Sequence, residues 1–178
     1  MTPPILDAKD ISRAINRITH EILEKNNGTE SLAIVGIRTR GVHLAKRLQK
    51  KIHEIENTHV DFGVLDITLY RDDLGIGKHN PAIRKTDIPF SMDGKKVILC
   101  DDVLFTGRTI RAAIDALMDF GRPSCVQLAV LVDRGHRELP IRPDFVGKNI
   151  PTSKNMIVKV KLMEEDNEDL VMICERHS

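Results

Sequence analysis

Apolar positions recur along this chain in two alternating patterns. Between Ala8 and Lys25, Ile11, Ile15, Ile18 and Ile22 fall at spacings of four, three and four, which predicts one buried helical face. Asp7 or Asp10 can cap the start of that helix, and Asn27-Gly28 can end it. Leu32-Ala33-Ile34-Val35-Gly36-Ile37 is continuously apolar, as a strand covered on both faces would be. A second helix is predicted after Gly41, with Val42, Leu44, Ala45, Leu48 and Ile52 on its apolar side. Val60–Leu69 alternates as a strand, and Val97–Cys100 and Val126–Val132 read as buried strands. A helix through Ile110, Ala113, Ile114 and Leu117 lies between the last two. Met156–Leu162 and Leu170–Cys174 flank an acidic turn and are predicted to pair as an antiparallel hairpin at the sheet edge. This alternation predicts an α/β fold, a mainly parallel sheet flanked by helices, in a single domain spanning residues 1–178. The polar stretch Arg71–Asp87 has no periodicity, and a loop of that length inside a compact domain usually serves function.

Composition narrows the classes. The chain has 178 residues, 41% hydrophobic and 30% charged, enough for a sizeable core in a soluble globular protein. A net charge of +1 means that nucleic-acid binding would need a local basic face. With no Trp, one Tyr and five Phe, an aromatic platform for stacked bases is not expected. Cys100, Cys125 and Cys174 lack Cys-x-x-Cys spacing, which argues against zinc and thioredoxin chemistry. Cys100 and Cys125 sit in apolar strand patterns and read as small core residues. No opening signal peptide and no membrane-length apolar run is visible, so the expected compartment is the cytoplasm, with no membrane partner.

The chemistry concentrates in Val97-Ile98-Leu99-Cys100-Asp101-Asp102-Val103-Leu104-Phe105-Thr106-Gly107-Arg108-Thr109. A buried strand ends in two carboxylates and feeds a helix start through a loop of small and hydroxyl residues. A helix N-terminus offers free N–H groups and a positive dipole end to a phosphate. Gly107 permits close backbone approach, Thr106 and Thr109 add hydroxyls, and paired carboxylates accept hydrogen bonds from a vicinal diol. No Gly-x-x-x-x-Gly-Lys-Ser/Thr and no Gly-x-Gly-x-x-Gly occurs, which excludes the P-loop and the dinucleotide fingerprint. Arg38-Thr39-Arg40-Gly41, between the first strand and second helix, repeats the anion-binding logic with two guanidiniums. On the first helix, Arg13, Arg17 and His20 follow four-three spacing opposite the isoleucines, with Asn16 beside them.

The Val97–Thr109 segment resembles the phosphoribosyl pyrophosphate (PRPP) motif of type I phosphoribosyltransferases. Asp66-Ile67-Thr68-Leu69-Tyr70-Arg71-Asp72-Asp73, Gly121-Arg122-Pro123-Ser124, Val132-Asp133-Arg134-Gly135-His136-Arg137-Glu138-Leu139-Pro140-Ile141-Arg142 and Gly147-Lys148-Asn149-Ile150-Pro151-Thr152 are together similar to the PyrR family. That family joins uracil phosphoribosyltransferase activity to RNA-binding control of the pyrimidine operon. The resemblance implies the type I phosphoribosyltransferase fold with a small hood from the termini, and the reaction uracil + PRPP → UMP + diphosphate. Asp101 and Asp102 would hold the ribose hydroxyls and steady charge at the anomeric carbon. Thr106–Thr109 would bind the 5′-phosphate, with Val103–Phe105 shaping the loop. Arg38, Thr39, Arg40 and Gly41, in a loop that often contains a non-proline cis peptide, would hold the diphosphate together with a catalytic Arg71. Val132, Asp133 and Arg134 would form the uracil pocket. Mg²⁺ would arrive on PRPP without direct protein ligands.

Asn16-Arg17-Ile18-Thr19-His20 resembles the family's RNA-contacting helix, with Asn where RNA-binding members typically carry Thr. Arg13, Asn16, Arg17 and His20 would contact pyrimidine leader mRNA, and Arg137, Arg142 and Lys148 would extend that surface. One such helix is a small surface, so a homo-oligomer that juxtaposes copies is expected, with UMP tightening RNA binding. Two alternatives stay open on sequence: a phosphoribosyltransferase for a purine or orotate, and a regulator whose site only senses nucleotides.

Overall fold

The computed structural model describes residues 3–70 and 86–176. Helix α1 spans Ala8–Lys25 and starts where its capping chemistry dictates. The Asp10 N–H donates to Asp7 Oδ1 at 2.9 Å and the Asp7 N–H to Asp10 Oδ2 at 3.1 Å, a reciprocal box that occupies two otherwise orphan donors. At the other end Asn27 and Gly28 take positive φ, and the Gly28 N–H closes on the Leu23 carbonyl at 2.9 Å.

Five parallel strands follow one another across the main sheet in the order β2-β1-β3-β4-β5. They are β1 (Leu32–Ile37), β2 (Asp61–Leu65), β3 (Lys96–Leu104), β4 (Cys125–Asp133) and β5 (Phe145–Asn149). Alternate residues of each strand feed two cores. Ile34, Ile98, Cys100, Ala129 and Leu131 pack with the isoleucines of α1 and with Leu44, Ala45, Leu48 and Ile52 of α2 (Arg40–Glu56). Val35, Ile37, Val97, Leu99, Leu128 and Val130 pack on the other side against α3 (Arg108–Met118). All six residues of β1 are buried, as continuous apolarity required.

The end of α1 is tied to β4 by a buried amide pair. Asn26 Nδ2 donates to Gln127 Oε1 and Gln127 Nε2 to Asn26 Oδ1, both at 2.9 Å. Gln127→Leu leaves Asn26 Oδ1 without its donor, while Asn26 Nδ2 keeps the Ile22 carbonyl at 2.8 Å, and a buried polar group without its partner costs about 1–3 kcal/mol. Urea unfolding should show that loss, and Asn26→Leu added to Gln127→Leu should recover part of it. A double variant no better than the sum of the singles would contradict the pairing.

Four expectations are corrected. The strand from Val60 is shorter than alternation suggested: it stops at Leu65 and gives way to a 3₁₀ turn at Thr68–Tyr70. β3 runs on past Cys100 to Leu104. Cys125 is exposed, because β4 enters the sheet at that residue before either helical layer covers it. The C-terminal hairpin does form, from β6 (Met156–Lys161) and β7 (Leu170–Glu175), but as a separate antiparallel sheet rather than on the main edge. Leu6 bridges to Val171, so both ends of the chain build this hood.

The acidic turn of the hood contains the short helix α4 (Met163–Asp166) and rests on the basic side of α2. Arg47 pairs with Glu164 at 2.6 Å and Asp169 at 2.7 Å, His43 meets Glu165 at 2.7 Å, and Arg40 meets Asp166 at 2.7 Å. The Arg47 hydrogen bond holds the Glu164 carboxyl below its usual 4.5. Burial pushes Asp169 up, but Arg47 and the Met163 N–H bring it net below 3.8. Carboxyls depressed in the folded state stabilise it above their unfolded values, and that contribution is lost as pH falls through the folded ones. The hood is therefore expected to loosen from about pH 4.5 downward. Hydrogen exchange of β6 and β7 amides, corrected for intrinsic rates, should quicken there before that of β1 and β3. Uniform exchange across both sheets would contradict it.

Candidate active site

The order β2-β1-β3-β4-β5 reverses direction between β1 and β3. The connection from β1 runs through α2 on one face, and that from β3 through α3 on the other. Crevices at the carboxyl ends of such strands are where open α/β sheets bind ligands. Two glycines, Gly36 near the end of β1 and Gly41 in the first turn of α2, flank the loop between them. A Cβ on Gly36 would lie 2.5 Å from Val42 Cα, and one on Gly41 would lie 2.5 Å from the Cys100 carbonyl oxygen. Both contacts are backbone, so α2 begins pressed against the strand that carries the acids. The Arg38–Thr39 peptide is cis.

Asp101 is 8% exposed and Asp102 is half-buried. The Asp102 N–H donates to Asp101 Oδ1 at 2.9 Å and the Val103 N–H to Asp102 Oδ1 at 2.8 Å, so the main chain orients both carboxylates. Both line an open polar cleft of about 360 Å³ together with Arg38, Thr39, Thr109 and the Asp66–Thr68 turn. Asp66 Oδ1 stiffens that turn by accepting the Thr68 N–H at 2.9 Å. A second cavity of about 300 Å³ is lined by Val103 through Ile110 and shares Val103 and Thr109 with the first. There Gly107 caps α3 at φ +94°, and Thr106 Oγ1 accepts the Arg108 N–H at 3.3 Å. Residues Asp101, Asp102, Val103, Phe105, Thr106, Gly107, Arg108 and Thr109 thus surround two joined cavities, one walled by carboxylates and one by a helix start.

The rest of the sequence-selected segment does different work. Val97, Ile98, Leu99 and Cys100 are at most 1% exposed and lie in the core, so they position the acids without reaching the cleft, and Leu104, equally buried, backs the second cavity. Burial, and then the neighbouring Asp101 charge, push the Cys100 thiol up, which keeps it inert. Arg40 does not line the cleft. Its guanidinium forks onto Asp166 of the hood at 2.7 and 3.2 Å. Arg71 lies outside the described residues.

At the end of β4, Val132 is fully buried and the polar groups of its neighbours are engaged within the chain. The Asp133 carboxylate accepts the Gly135 N–H at 3.0 Å and pairs with Arg137 at 2.6 Å. The Arg134 N–H donates to the Leu104 carbonyl. The Arg134 guanidinium is 4.0 Å from the Phe105 ring centre and donates to the carbonyls of Ser153 and Met156. The Asp133 carbonyl also accepts the Ile150 N–H at 2.8 Å and the Arg134 carbonyl the Thr152 hydroxyl at 3.1 Å, and each keeps a second lone pair for a pyrimidine edge.

On α1, Arg13, Asn16, Arg17 and His20 are all exposed. Arg17 pairs with Glu21 and donates to the Val146 and Gly147 carbonyls at 3.1 and 2.7 Å, which sets this face beside β5 and exposed Lys148. Arg142, also exposed, leads toward β5. Arg137 is turned inward instead of extending the stripe, since its donors reach the Phe105 and Ile141 carbonyls as well as Asp133. Sequence reasoning did not single out Asp66 and Thr68 as site residues, although the Asp-x-Thr pattern of a side-chain-closed turn was available. Among the described residues no group of three or more His, Cys, Asp or Glu is arranged to hold a metal ion, and no helix is long and apolar enough to cross a membrane.

Fold and cleft together define a phosphoribosyltransferase domain, and the profile of the phosphoribosyl transferase domain matches residues 3–166. The solved hypoxanthine phosphoribosyltransferase of Trypanosoma cruzi superposes with a TM-score of 0.73 at 18% identity, over 98% of this chain and 97% of that one, a likeness of fold. The chain is 59% identical to the bifunctional protein PyrR of Deinococcus radiodurans over 96% of its own length and 95% of that protein's. It is 58% identical to the bifunctional protein PyrR of Clostridioides difficile, over 96% and 97%. This chain belongs to the PyrR family of phosphoribosyltransferase-fold proteins.

Proposed function

We propose that the chain, residues 1–178, acts as one domain with two activities. It catalyses uracil + PRPP → UMP + diphosphate, and it binds pyrimidine operon leader mRNA in a UMP-dependent manner to regulate transcription by attenuation. The observation that carries this reading is the Asp101–Asp102 pair between a polar cleft and a helix start, in a chain 59% identical to a bifunctional PyrR.

In this reading the ribose of PRPP lies over Asp101 and Asp102, whose carboxylates accept its 2′- and 3′-hydroxyls. The 5′-phosphate occupies the smaller cavity against the Thr106–Thr109 N–H groups and hydroxyls. Diphosphate lies in the larger cleft against Arg38 and Thr39, with the main chain of Arg40 and Gly41 completing its loop and Arg71 meeting it as it departs. Bond breaking at the anomeric carbon leads bond making, so positive charge builds on the ribose and the carboxylates stabilise it. Uracil N1 bonds to that carbon beside the end of β4, its proton leaves to water, and diphosphate departs from the opposite face. The chain holds the reactants in line and supplies fixed charge, and this scheme requires no general base from the protein. Asp66, Asp101 and Asp102, the acidic walls of the cleft, would accept hydrogen bonds from the hydration shell of Mg²⁺ carried by PRPP, which would neutralise charge on the diphosphate.

For RNA, the exposed stripe Arg13, Asn16, Arg17 and His20 on α1, with exposed Lys148 and Arg142 on and before β5, offers a basic surface. It is too small for tight binding alone, so a homo-oligomer is part of the proposal. Arg17→Ala should weaken leader RNA binding and lower the salt dependence by about one unit, with catalysis intact. A gel-shift titration against the organism's own pyrimidine leader RNA, with and without UMP, is the test. The wild-type protein should bind more tightly with UMP. No specific binding in either condition would leave a phosphoribosyltransferase without an RNA role.

A further inference from the structure

Arg137 is the point where the phosphate loop and the end of β4 are joined. Its Nη1 donates to the Phe105 carbonyl at 2.8 Å, its Nε to the Ile141 carbonyl at 2.9 Å, and its Nη2 to Asp133 Oδ2 at 2.6 Å. The side chain is 23% exposed and that of Asp133 12%, so little water competes for these bonds. One planar guanidinium thereby spans three segments that are separate in sequence. Phe105 belongs to the loop between β3 and α3. Asp133 ends β4. Ile141 lies against Gly107, where a Cβ would come within 3.4 Å of it. The Glu138 and Leu139 N–H groups add to this by donating to the Thr106 carbonyl at 2.9 and 3.2 Å.

We propose that Arg137 is a positioning residue that sets the distance between the 5′-phosphate subsite and the base subsite. This rests on the reading above, in which uracil lies at the end of β4 and the phosphate in the Thr106–Thr109 loop. A ligand that spans both subsites depends on their separation. A ligand that occupies the phosphate loop and the diphosphate cleft does not. Arg suits the task where Lys would fail, because only the fork can serve two carbonyls and a carboxylate together.

The test compares two ligands on the full-length protein. Calorimetric titration of Arg137→Gln should show UMP affinity reduced about tenfold or more, as loss of a charge-assisted bond predicts, with PRPP affinity nearly unchanged. The KM for uracil should rise more than the KM for PRPP. Arg137→Lys keeps the charge and the Asp133 pair, and should share the UMP defect, which covers the case in which Arg137→Gln does not fold. Equal weakening of UMP and PRPP would reduce Arg137 to general support of the loop, and unchanged UMP affinity would also overturn the proposal. Failure of the wild-type protein to bind UMP would instead overturn the reading on which it rests.

Discussion

Asp102→Ala should lose at least a hundredfold in kcat/KM for UMP formation while unfolding at nearly the same urea concentration as the wild type. Asp102 is half-buried at the floor of the larger cleft, and its carboxylate is aimed by the Val103 N–H at 2.8 Å. Its charge matters most when positive charge develops on the ribose, so the loss should fall on the transition state rather than on the fold. Removing one such preorganised group costs about 3 kcal/mol of barrier, roughly a hundredfold in rate. Asp102→Asn keeps the shape and one acceptor but lacks the charge, and should recover only a small part. Near-wild-type kcat/KM in either variant would remove Asp102 from the chemistry.

Gly41→Ala should damage both stability and turnover. A Cβ at this position would meet the Cys100 carbonyl oxygen at 2.5 Å and Asp101 Cα at 3.2 Å, and neither belongs to a flexible side chain. Either the first turn of α2 moves away from β3 or β3 itself bends. Inserting a methyl into a contact that cannot yield costs about 1–3 kcal/mol. The displacement also carries Thr39 away from Asp101, and a shift near 1 Å in a site of this kind can cost about a hundredfold. Thermal unfolding and steady-state kinetics on the same preparation check both effects. A variant that unfolds like the wild type and turns over normally would show that the helix is not held against the acids as described.

The parts of this molecule governed by local chemistry could be read directly from its sequence. The bounds of α1 were legible because a capping aspartate, a four-three isoleucine face and an Asn-Gly end all operate within a turn or two. The carboxylates and the helix start after them were legible because the motif is contiguous. β3 extends beyond its apolar run because Asp101, Val103 and Leu104 continue the ladder to Val130, Val132 and Asp133 while the side chains of Asp101 and Asp102 meet the cleft, so polarity marked the site and not the strand end. β5 was not anticipated. Phe-Val-Gly-Lys-Asn is short, contains a glycine and stops just before Pro151, and only its pairing with β4 makes it a strand.

Long-range partners of charged groups were not legible. Arg40 was singled out for its loop, and the pairing of its guanidinium with a carboxylate 126 residues away could not be read there. Arg137 looked like part of a basic surface, yet its partner carbonyls lie on the phosphate loop and on the segment that buttresses it. Spacing along a chain shows which face a residue occupies, not which acceptor will fold onto it.

The central claim is transfer of a phosphoribosyl group to uracil in the β1–β3 cleft. It is tested most directly by incubating the protein with PRPP and Mg²⁺ and each of uracil, orotate, hypoxanthine and guanine in turn, and identifying the nucleotide formed. UMP from uracil, with stoichiometric diphosphate and loss of the product in Asp102→Ala, is the expected result. A nucleotide formed only from a purine or orotate, or from none of the four bases, would contradict it.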